Sequence, residues 1–317
     1  MYGWGGSTAG WKGKSAYDFG SARAGYDKLA SVAPPREYSA KAVADMKLVD
    51  PRGKTISSDS ENPIIVAVDV TGSMAAWPRE IFDRLPLLYQ TLAKYRPNAE
   101  FCFAAIGDAS GDRFPLQVND FAKGLDLEAK VKALGCEGRG GGGISESYEL
   151  FGYFMNKHCN TPKATSPFLI MMGDEKFYDR VNPGQVKHYI GDKLEEEVKS
   201  ATVWKELMQK FNVYFLQKPY GSDYDEGTTR EVKENWEGAL GRQRVIDIPN
   251  MERAVDVAMG LIAKSWGEYD DFGKSVKARH SGKTLAGIDK SLRHVPSSPA
   301  MTSVMPKAGS KLTKPLA

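Results

Sequence analysis

The chain has 317 residues, of which 41% are hydrophobic and 26% are charged, and its formal net charge is +3. This composition is sufficient for a sizeable hydrophobic core and excludes global disorder. The near balance of 43 basic against 40 acidic residues excludes a uniformly basic surface that would coat nucleic acid.

The sequence shows no pattern that directs a chain into a membrane or through one. The first residues lack the apolar core of a signal peptide, and no run approaches the roughly 18 apolar residues that span a bilayer. Three cysteines are too few for a disulfide scaffold or a thiolate zinc site. We therefore expect a cytoplasmic protein without membrane association.

Five short apolar runs along the middle of the chain predict strands of a buried parallel sheet. They are residues 64–70, 99–107, 167–173, 212–217 and 245–248. Helical periodicity between them predicts helices over residues 81–92, 144–155, 184–210 and 251–265. The alternation predicts an α/β fold with an open, mostly parallel sheet and helices on both faces. Residues 114–118 predict a short edge strand, since Pro115 cannot donate to a central ladder.

The two ends of the chain differ in composition from the middle. Gly, Ser, Ala, Tyr and Pro recur in residues 1–62, which predicts a partly ordered extension. The α/β pattern occupies residues 63–268. The composition of residues 269–317 predicts a basic, low-complexity tail. From position 272 onward this segment contains nine Lys and Arg residues, and Asp289 is its one acidic residue. Such a tail is either merely solvated or tethers the protein to nucleic acid or to an acidic protein surface.

A carboxylate and two hydroxyls stand at alternate positions where the first core strand ends. These are Asp69, Thr71 and Ser73 in the segment D-V-T-G-S-M, where Gly72 permits a tight loop. Hard oxygen ligands at this spacing suit a hard divalent cation, Mg²⁺ above all. The alternative interpretation is that Asp69 or Thr71 only caps the following helix.

Two further segments bear on this choice. Asp174 ends another apolar strand, and a glycine-rich loop over residues 138–143 opens the next helix. In an open α/β sheet, loops at the carboxyl ends of strands gather where the strand order reverses. Asp69 and Asp174 would therefore meet if their strands are neighbours. Glu175 is interpreted as an ordinary surface carboxylate.

In this order, the DVTGSM segment, the glycine-rich loop and the strand ending at Asp174 resemble a von Willebrand factor A domain with a metal-ion-dependent adhesion site. The resemblance covers residues 63–268 and implies a Rossmann-like sheet of order 3-2-1-4-5-6. It also implies that Asp69, Thr71, Ser73 and Asp174 bind Mg²⁺, or alternatively Mn²⁺ or Ca²⁺.

The central loop departs from the family's pattern. The family contributes a threonine from this loop, and the sequence has none there. Ser145, Glu146 or Ser147 would take the place of that ligand.

The resemblance implies a metal-dependent protein-binding module rather than an enzyme. A partner's Asp or Glu would fill the cation's open coordination position. Related bacterial proteins are adaptors for AAA+ ATPases of the MoxR type, which implies an adaptor or assembly factor here. Two alternatives stay open: a structural or assembly protein acting through its N- and C-terminal arms, and a Mg²⁺-dependent hydrolase using Asp69. No motif places a general base or nucleophile, which weighs against the hydrolase.

Overall fold

The computed structural model describes residues 44–136, 143–221, 225–280 and 282–296 of the chain. Its strands form one central sheet and several two-stranded pairs. In chain order the strands are β1 (Ile56–Ser57), β2 (Pro63–Asp69), β3 (Glu100–Ile106), β4 (Leu116–Val118), β5 (Ser145–Glu146), β6 (Cys159–Asn160), β7 (Phe168–Gly173), β8 (Lys176–Phe177), β9 (Arg180–Val181), β10 (Val198–Lys199), β11 (Asn212–Gln217) and β12 (Val245–Asp247). The helices are α1 (Met46–Val49), α2 (Trp77–Tyr95), α3 (Asp126–Ala133), α4 (Tyr148–His158), α5 (Pro183–Gln185), α6 (Ser200–Lys210), α7 (Glu226–Leu240), α8 (Ala254–Ser265), α9 (Tyr269–Arg279) and α10 (Gly282–Ser291).

The central sheet has six strands in the order β12-β11-β7-β2-β3-β4. They run parallel except β4, which is antiparallel to β3 at one edge. The predicted α/β class with a mostly parallel sheet is confirmed, and the expected edge strand is β4. Because β2 and β11 flank β7, the carboxyl ends of these three strands lie side by side, which places the loops that follow them next to each other.

Alternate residues of β2 enter two hydrophobic cores, one on each face of the sheet. Ile64, Val66 and Val68 pack in the core that contains α2 and α8. Ile65 and Ala67 pack in the core that contains α4, α6 and α7. Burial on both faces explains why this strand is a continuous apolar run rather than an alternating one.

The prediction of one continuous helix over residues 184–210 is wrong, because the chain leaves the helical conformation in the first half of that range. The chain forms the short turn α5 and a π-helical turn, Val186–Ile190, which ends at Gly191 with a φ of 97°. Glycine adopts this left-handed conformation at little cost, so the helix ends there. A loop with the charged residues 195–197 follows, and the helix begins again only as α6.

Helices α3 and α7 lie outside the predicted helical ranges. In α7 only Val232, Trp236 and Leu240 are buried, each four residues from the next. A single narrow apolar stripe in a strongly charged segment gives a weak helical period. The residues that fix this helix are therefore few, and the sequence pattern alone does not reveal it.

Part of the segment predicted as a low-complexity tail is folded. Helices α9 and α10 pack with α8, and Phe272, Val276 and Ile288 are fully buried. A Cβ on Gly260 of α8 would lie 2.9 Å from the Phe272 ring, so glycine permits this close packing. The packed structure thus continues past the predicted boundary at residue 268. The rest of the predicted tail, and most of the predicted N-terminal extension, lie outside the described residues.

The cysteines behave as small core residues. All three are unbridged, and Cys102 and Cys159 are buried. Within the described segments, no helix has the length and apolar character needed to cross a bilayer.

Candidate functional site

Charged residues follow three adjacent parallel strands at the carboxyl edge of the sheet. Asp69 is the last residue of β2, Asp174 follows β7, and Lys218 follows β11. The Lys218 backbone N–H donates to the Gly173 carbonyl over 2.8 Å, which extends the pairing of β11 with β7 to this point. The topology therefore brings two acids and one base together at one edge.

A chain of hydrogen bonds joins Asp69 to Asp174 through two hydroxyls. Thr71 donates to the Asp69 Oδ1 from its backbone N–H over 2.9 Å and from its hydroxyl over 2.6 Å. The hydroxyls of Thr71 and Ser73 lie 3.3 Å apart. Ser73 in turn donates to the Asp174 Oδ1 over 2.9 Å. The loop after β2 thus folds back over the sheet edge and links the two carboxylates.

Lys218 supplies a buried positive charge to this site. Its Nζ lies 2.7 Å from the Asp174 Oδ2, and the two side chains are 3% and 0% exposed. The same Nζ donates to the carbonyls of Pro219, over 2.8 Å, and Gly221, over 3.2 Å. An ammonium group has three protons to donate, so these partners satisfy it fully. The Trp77 ring centroid, 5.8 Å away, adds a cation–π contact.

Tyr148 binds the Asp69 carboxylate oxygen that Thr71 does not bind. Its hydroxyl donates to the Asp69 Oδ2 over 2.7 Å. Gly173 makes room for it, because a Cβ there would lie 1.8 Å from the Tyr148 oxygen. Phe215 and Trp236 contact the Tyr148 ring edge to face, so the hydroxyl is held in place by packing.

Two more carboxyl groups complete the site. The parallel pair β5–β8 sets Glu146 opposite Phe177 and so brings it close to Glu175, whose charge contributes, after burial, to the raised pKa of Glu146. Both residues are buried, at 2% and 4% exposure. One oxygen of each, Oε2, has no hydrogen-bond partner among the described residues. We call Asp69, Glu146, Asp174 and Glu175 the carboxylate cluster.

Burial and mutual repulsion make protonation of this cluster favourable. Burial, with the neighbouring Asp174 charge, raises the pKa of Asp69 to about 8, against the effect of its three hydrogen bonds. Burial, with Asp69 and Glu175 nearby, raises the pKa of Glu146 to about 12. Burial raises the pKa of Glu175 to about 7. Near neutral pH the Glu146 carboxyl therefore keeps its proton, while Asp69 and Glu175 titrate.

The structure brings together five of the residues singled out from the sequence. Asp69, Thr71, Ser73 and Asp174 form the hydrogen-bonded chain, and Glu146 lies beside them. Ser145 is only half-buried and sits next to Glu146 on β5. Residues 137–142, which hold most of the glycine-rich loop, lie outside the described residues.

Three residues of the site escape the sequence analysis. Glu175 is buried rather than a surface carboxylate, which corrects that interpretation. Tyr148 lies in a helical pattern that predicts only a core position. Lys218 directly follows a buried strand, as Asp174 does; a charge in that position is the signal that could have identified it.

The polar groups of the site do not fit a divalent cation in this arrangement. Ser73 and Lys218 take the two oxygens of Asp174, and Thr71 and Tyr148 take those of Asp69. The described part of the chain contains no group of three or more His, Cys, Asp or Glu that could hold a metal ion. The Lys218 ammonium already supplies a positive charge to Asp174.

No protein-family profile and no curated protein matches the chain. Among solved structures, the pilus adhesin SpaC from Lactobacillus rhamnosus GG in its open conformation is similar at 12% identity and a TM-score of 0.45, over 70% of this chain and 31% of that one. A second SpaC crystal structure gives 13% identity and a TM-score of 0.43, over 68% and 32%. A mutant of the PilB minor pilin from Streptococcus sanguinis gives 12% identity and a TM-score of 0.39, over 69% and 64%. The chain spans about a third of SpaC and less than two thirds of PilB, and likeness at these TM-scores carries no argument about function.

These findings contradict the sequence-based assignment to the von Willebrand factor A family. No protein-family profile supports it. The described residues also lack a metal-holding group of acidic, histidine or cysteine side chains. The family assignment and its metal-ion-dependent adhesion site are therefore withdrawn.

Proposed function

We propose that this chain is a non-catalytic protein-binding module whose contact face is the carboxyl edge of the sheet. The partner contributes a positively charged side chain, Lys or Arg, to the carboxylate cluster. One observation carries the proposal: Glu146 and Glu175 each keep a buried oxygen without a hydrogen-bond partner among the described residues. A buried acceptor without a donor costs about 1–3 kcal/mol, which an incoming ammonium or guanidinium would recover.

Lys218 cannot provide those missing donors. Its three protons are taken by Asp174, Pro219 and Gly221. The cluster contains more carboxyl groups than its single ammonium can neutralise. Burial, and after it the neighbouring carboxylate charges, raises the pKa values of Asp69, Glu146 and Glu175. A positive charge from outside is therefore the complement that the cluster lacks.

The loop over residues 72–76 offers a surface that a partner can approach closely. Gly72, Ala75 and Ala76 are exposed and small, and Ser73 is half-buried beneath them. Ala75 has a φ of 49°, which is uncommon for a residue other than glycine. Strain of this kind is often concentrated at binding sites, and here it shapes the loop that covers the cluster.

The internal bonding of the site favours binding over catalysis. The cluster's acids and hydroxyls hydrogen-bond one another, and no histidine is among them. The Lys218 ammonium is held by three acceptors and is not available as a nucleophile or base. The Mg²⁺-dependent hydrolase therefore gains no support from this geometry.

The proposal does not require a divalent cation. Bound Mg²⁺, Mn²⁺ or Ca²⁺, the partner Asp or Glu that such an ion would recruit, and an AAA+ ATPase as the partner stay separate predictions. They differ from the proposal in one measurable respect, because only they require a free metal ion.

Affinity purification from the source cells, with the full chain as bait, tests the proposal. Glu175→Gln removes a cluster charge at nearly constant volume, and Ser73→Ala removes the hydroxyl at the rim. Glu195→Gln is the matched control, since the Glu195 side chain is 74% exposed. Each bait is used in EDTA and in Mg²⁺, and retained proteins are quantified by mass spectrometry.

We expect a partner that the wild type and Glu195→Gln retain equally in EDTA and in Mg²⁺. Glu175→Gln and Ser73→Ala should retain at least about fivefold less, because a desolvated charge contact contributes about 1.5–3 kcal/mol. Equal retention by all four baits would contradict a contact face at the cluster. Retention that needs Mg²⁺ would favour the metal-dependent alternative instead.

A further inference from the structure

A groove lies beside β12, which is an edge strand of the central sheet, between this strand and the end of α10. It encloses a cavity of about 240 Å³, and its lining comes from α7, β12, α10 and the residues that join them. Four basic side chains line it: Lys233, Arg242, Lys290 and Arg293. We call this the basic groove.

Most of the positive charge in the basic groove is not neutralised. Arg242, Lys290 and Arg293 are exposed, and none forms an ion pair with another residue of the described segments. Lys233 is the exception, because both Asp247 oxygens lie 2.7 Å from its Nζ. Although the Arg293 Nε donates to the His294 Nε2, the groove presents three cations that lack an ion pair with the described residues.

The floor of the basic groove is an open strand edge. Strand β12 is the last strand of the central sheet and pairs there with β11 only. The Ile248 backbone N–H donates to the Gln217 carbonyl over 2.8 Å, so the backbone groups of every second residue face β11. The backbone of Asp247, between Ile246 and Ile248, therefore faces away from the sheet. An edge of this kind can pair with an added strand.

The lining distinguishes a peptide from a nucleic acid. No Phe, Tyr or Trp is among the residues that line the groove, and single-stranded nucleic acid sites rely on such rings for stacking. Glu237 and Asp247 also line it, and they would repel a continuous phosphate backbone. An extended peptide places its acidic side chains two residues apart, so it can meet the three cations and avoid the two acids.

We infer that the basic groove binds an extended acidic segment of a partner protein, which lies along the edge of β12. Backbone pairing with β12 gives the segment its register, and Arg242, Lys290 and Arg293 bind its carboxylates. This site is separate from the carboxylate cluster and opposite to it in charge preference.

Fluorescence anisotropy with the full chain and a labelled octapeptide of alternating Glu and Val tests the inference at low salt. The comparison ligands are the matching Lys–Val octapeptide, an N-methylated Glu–Val octapeptide that cannot pair as a strand, and an oligothymidylate of about 20 nucleotides. The variants are Lys290→Glu and Arg293→Glu. Lys283→Glu is the matched control, because it changes the same charge on the same helix outside the groove lining.

We expect the Glu–Val peptide to bind the wild type and Lys283→Glu within twofold of each other. Lys290→Glu and Arg293→Glu should each weaken binding at least about tenfold, as expected for charge reversal at a close pair. The Lys–Val and N-methylated peptides should bind much more weakly. Glu175→Gln should bind like the wild type, which separates this result from that of the proposed function.

Three results would overturn the inference. One is no saturable binding of the Glu–Val peptide by the wild type. Another is equal binding by the groove variants and Lys283→Glu. The third is tighter binding of oligothymidylate than of the peptide, with loss in the same variants, which would assign the groove to nucleic acid.

Discussion

At the scale of single residues, Lys218 supplies the buried positive charge of the candidate site. It is almost fully buried, and its ammonium binds Asp174 and two backbone carbonyls. Removing one partner of a buried pair leaves an uncompensated charge, which is far more costly than replacing both. Lys218 is therefore the residue whose loss should disturb the site most.

Lys218→Met should lower the free energy of unfolding by about 3–5 kcal/mol, because Asp174 stays buried without its cation. The double variant Lys218→Met, Asp174→Leu should recover a large part of that loss. Urea unfolding at pH 7 measures both. Lys193→Met serves as the control, since the Lys193 side chain is 84% exposed. A loss under about 1 kcal/mol in Lys218→Met would show that the pair does not stabilise the fold.

Gly173 and Tyr148 should be energetically coupled. Gly173→Ala places a methyl group on the Tyr148 hydroxyl and displaces it from Asp69. We expect a loss of about 1–3 kcal/mol from this overpacking, and a smaller loss when Tyr148→Phe is already present. A double-mutant cycle by urea unfolding gives the coupling energy. Losses that simply add would contradict the contact.

At the scale of secondary structure, the apolar runs were sufficient to predict the strands of the central sheet. Each run is buried on both faces, so its composition alone identifies it. The meeting of Asp69 with Asp174 follows from the position of each at the end of such a run. The apolar runs by themselves do not show which strand lies on the other side of β7, and so they did not bring Lys218 to the site.

The sequence pattern also could not predict that Glu146 lies close to Glu175. It depends on β5 and β8, which have two residues each. A strand of two residues has no periodicity to detect. The helices α9 and α10 were missed for a related reason, because each buries only a few side chains in a basic segment.

These two helices should contribute to the stability of the whole fold. Phe272 of α9 is fully buried against Gly260 of α8. Phe272→Ala should therefore cost about 3–5 kcal/mol in the free energy of unfolding. The conservative change Phe272→Leu should cost much less. Unfolding of Phe272→Ala at the wild-type urea midpoint would show that α9 is not part of the cooperative unit.

At the scale of the whole molecule, the carboxylate cluster should make stability depend on pH. Burial raises the pKa of Asp69 to about 8 and that of Glu175 to about 7, whereas both titrate near 4 when unfolded. Between these values the folded state binds more protons than the unfolded state. The contribution of the two groups to stability is therefore full at low pH and declines as pH rises from about 4 to 8.

Asp69→Asn should reduce this decline between pH 5 and pH 8, because it removes one of the buried carboxyl groups whose pKa is raised in the folded state. Each group contributes at most about 1.4 kcal/mol per pH unit. Chemical unfolding at several pH values gives the slopes, with Glu195→Gln as a control that keeps the wild-type slope. Identical slopes for Asp69→Asn and the wild type would contradict the raised pKa of Asp69.

We predict two contact sites of opposite charge preference, one at the carboxylate cluster and one at the basic groove. One is an acidic site at the carboxyl edge of the sheet, and the other is a basic site at its outer strand. A protein with both can bind two partners, or two segments of one partner, at the same time. The two sites have separate variants, so their roles can be measured independently.

If the buried Lys218 ammonium is the cation of the site, added Mg²⁺ should not stabilise the fold. Thermal unfolding of the wild type and of Asp69→Asn, each in EDTA and in millimolar Mg²⁺, tests this with purified protein alone. We expect the wild-type Tm to be the same in both buffers, because the ammonium already pairs with Asp174. A wild-type Tm that rises by several degrees in Mg²⁺, and loses that rise in Asp69→Asn, would contradict the account.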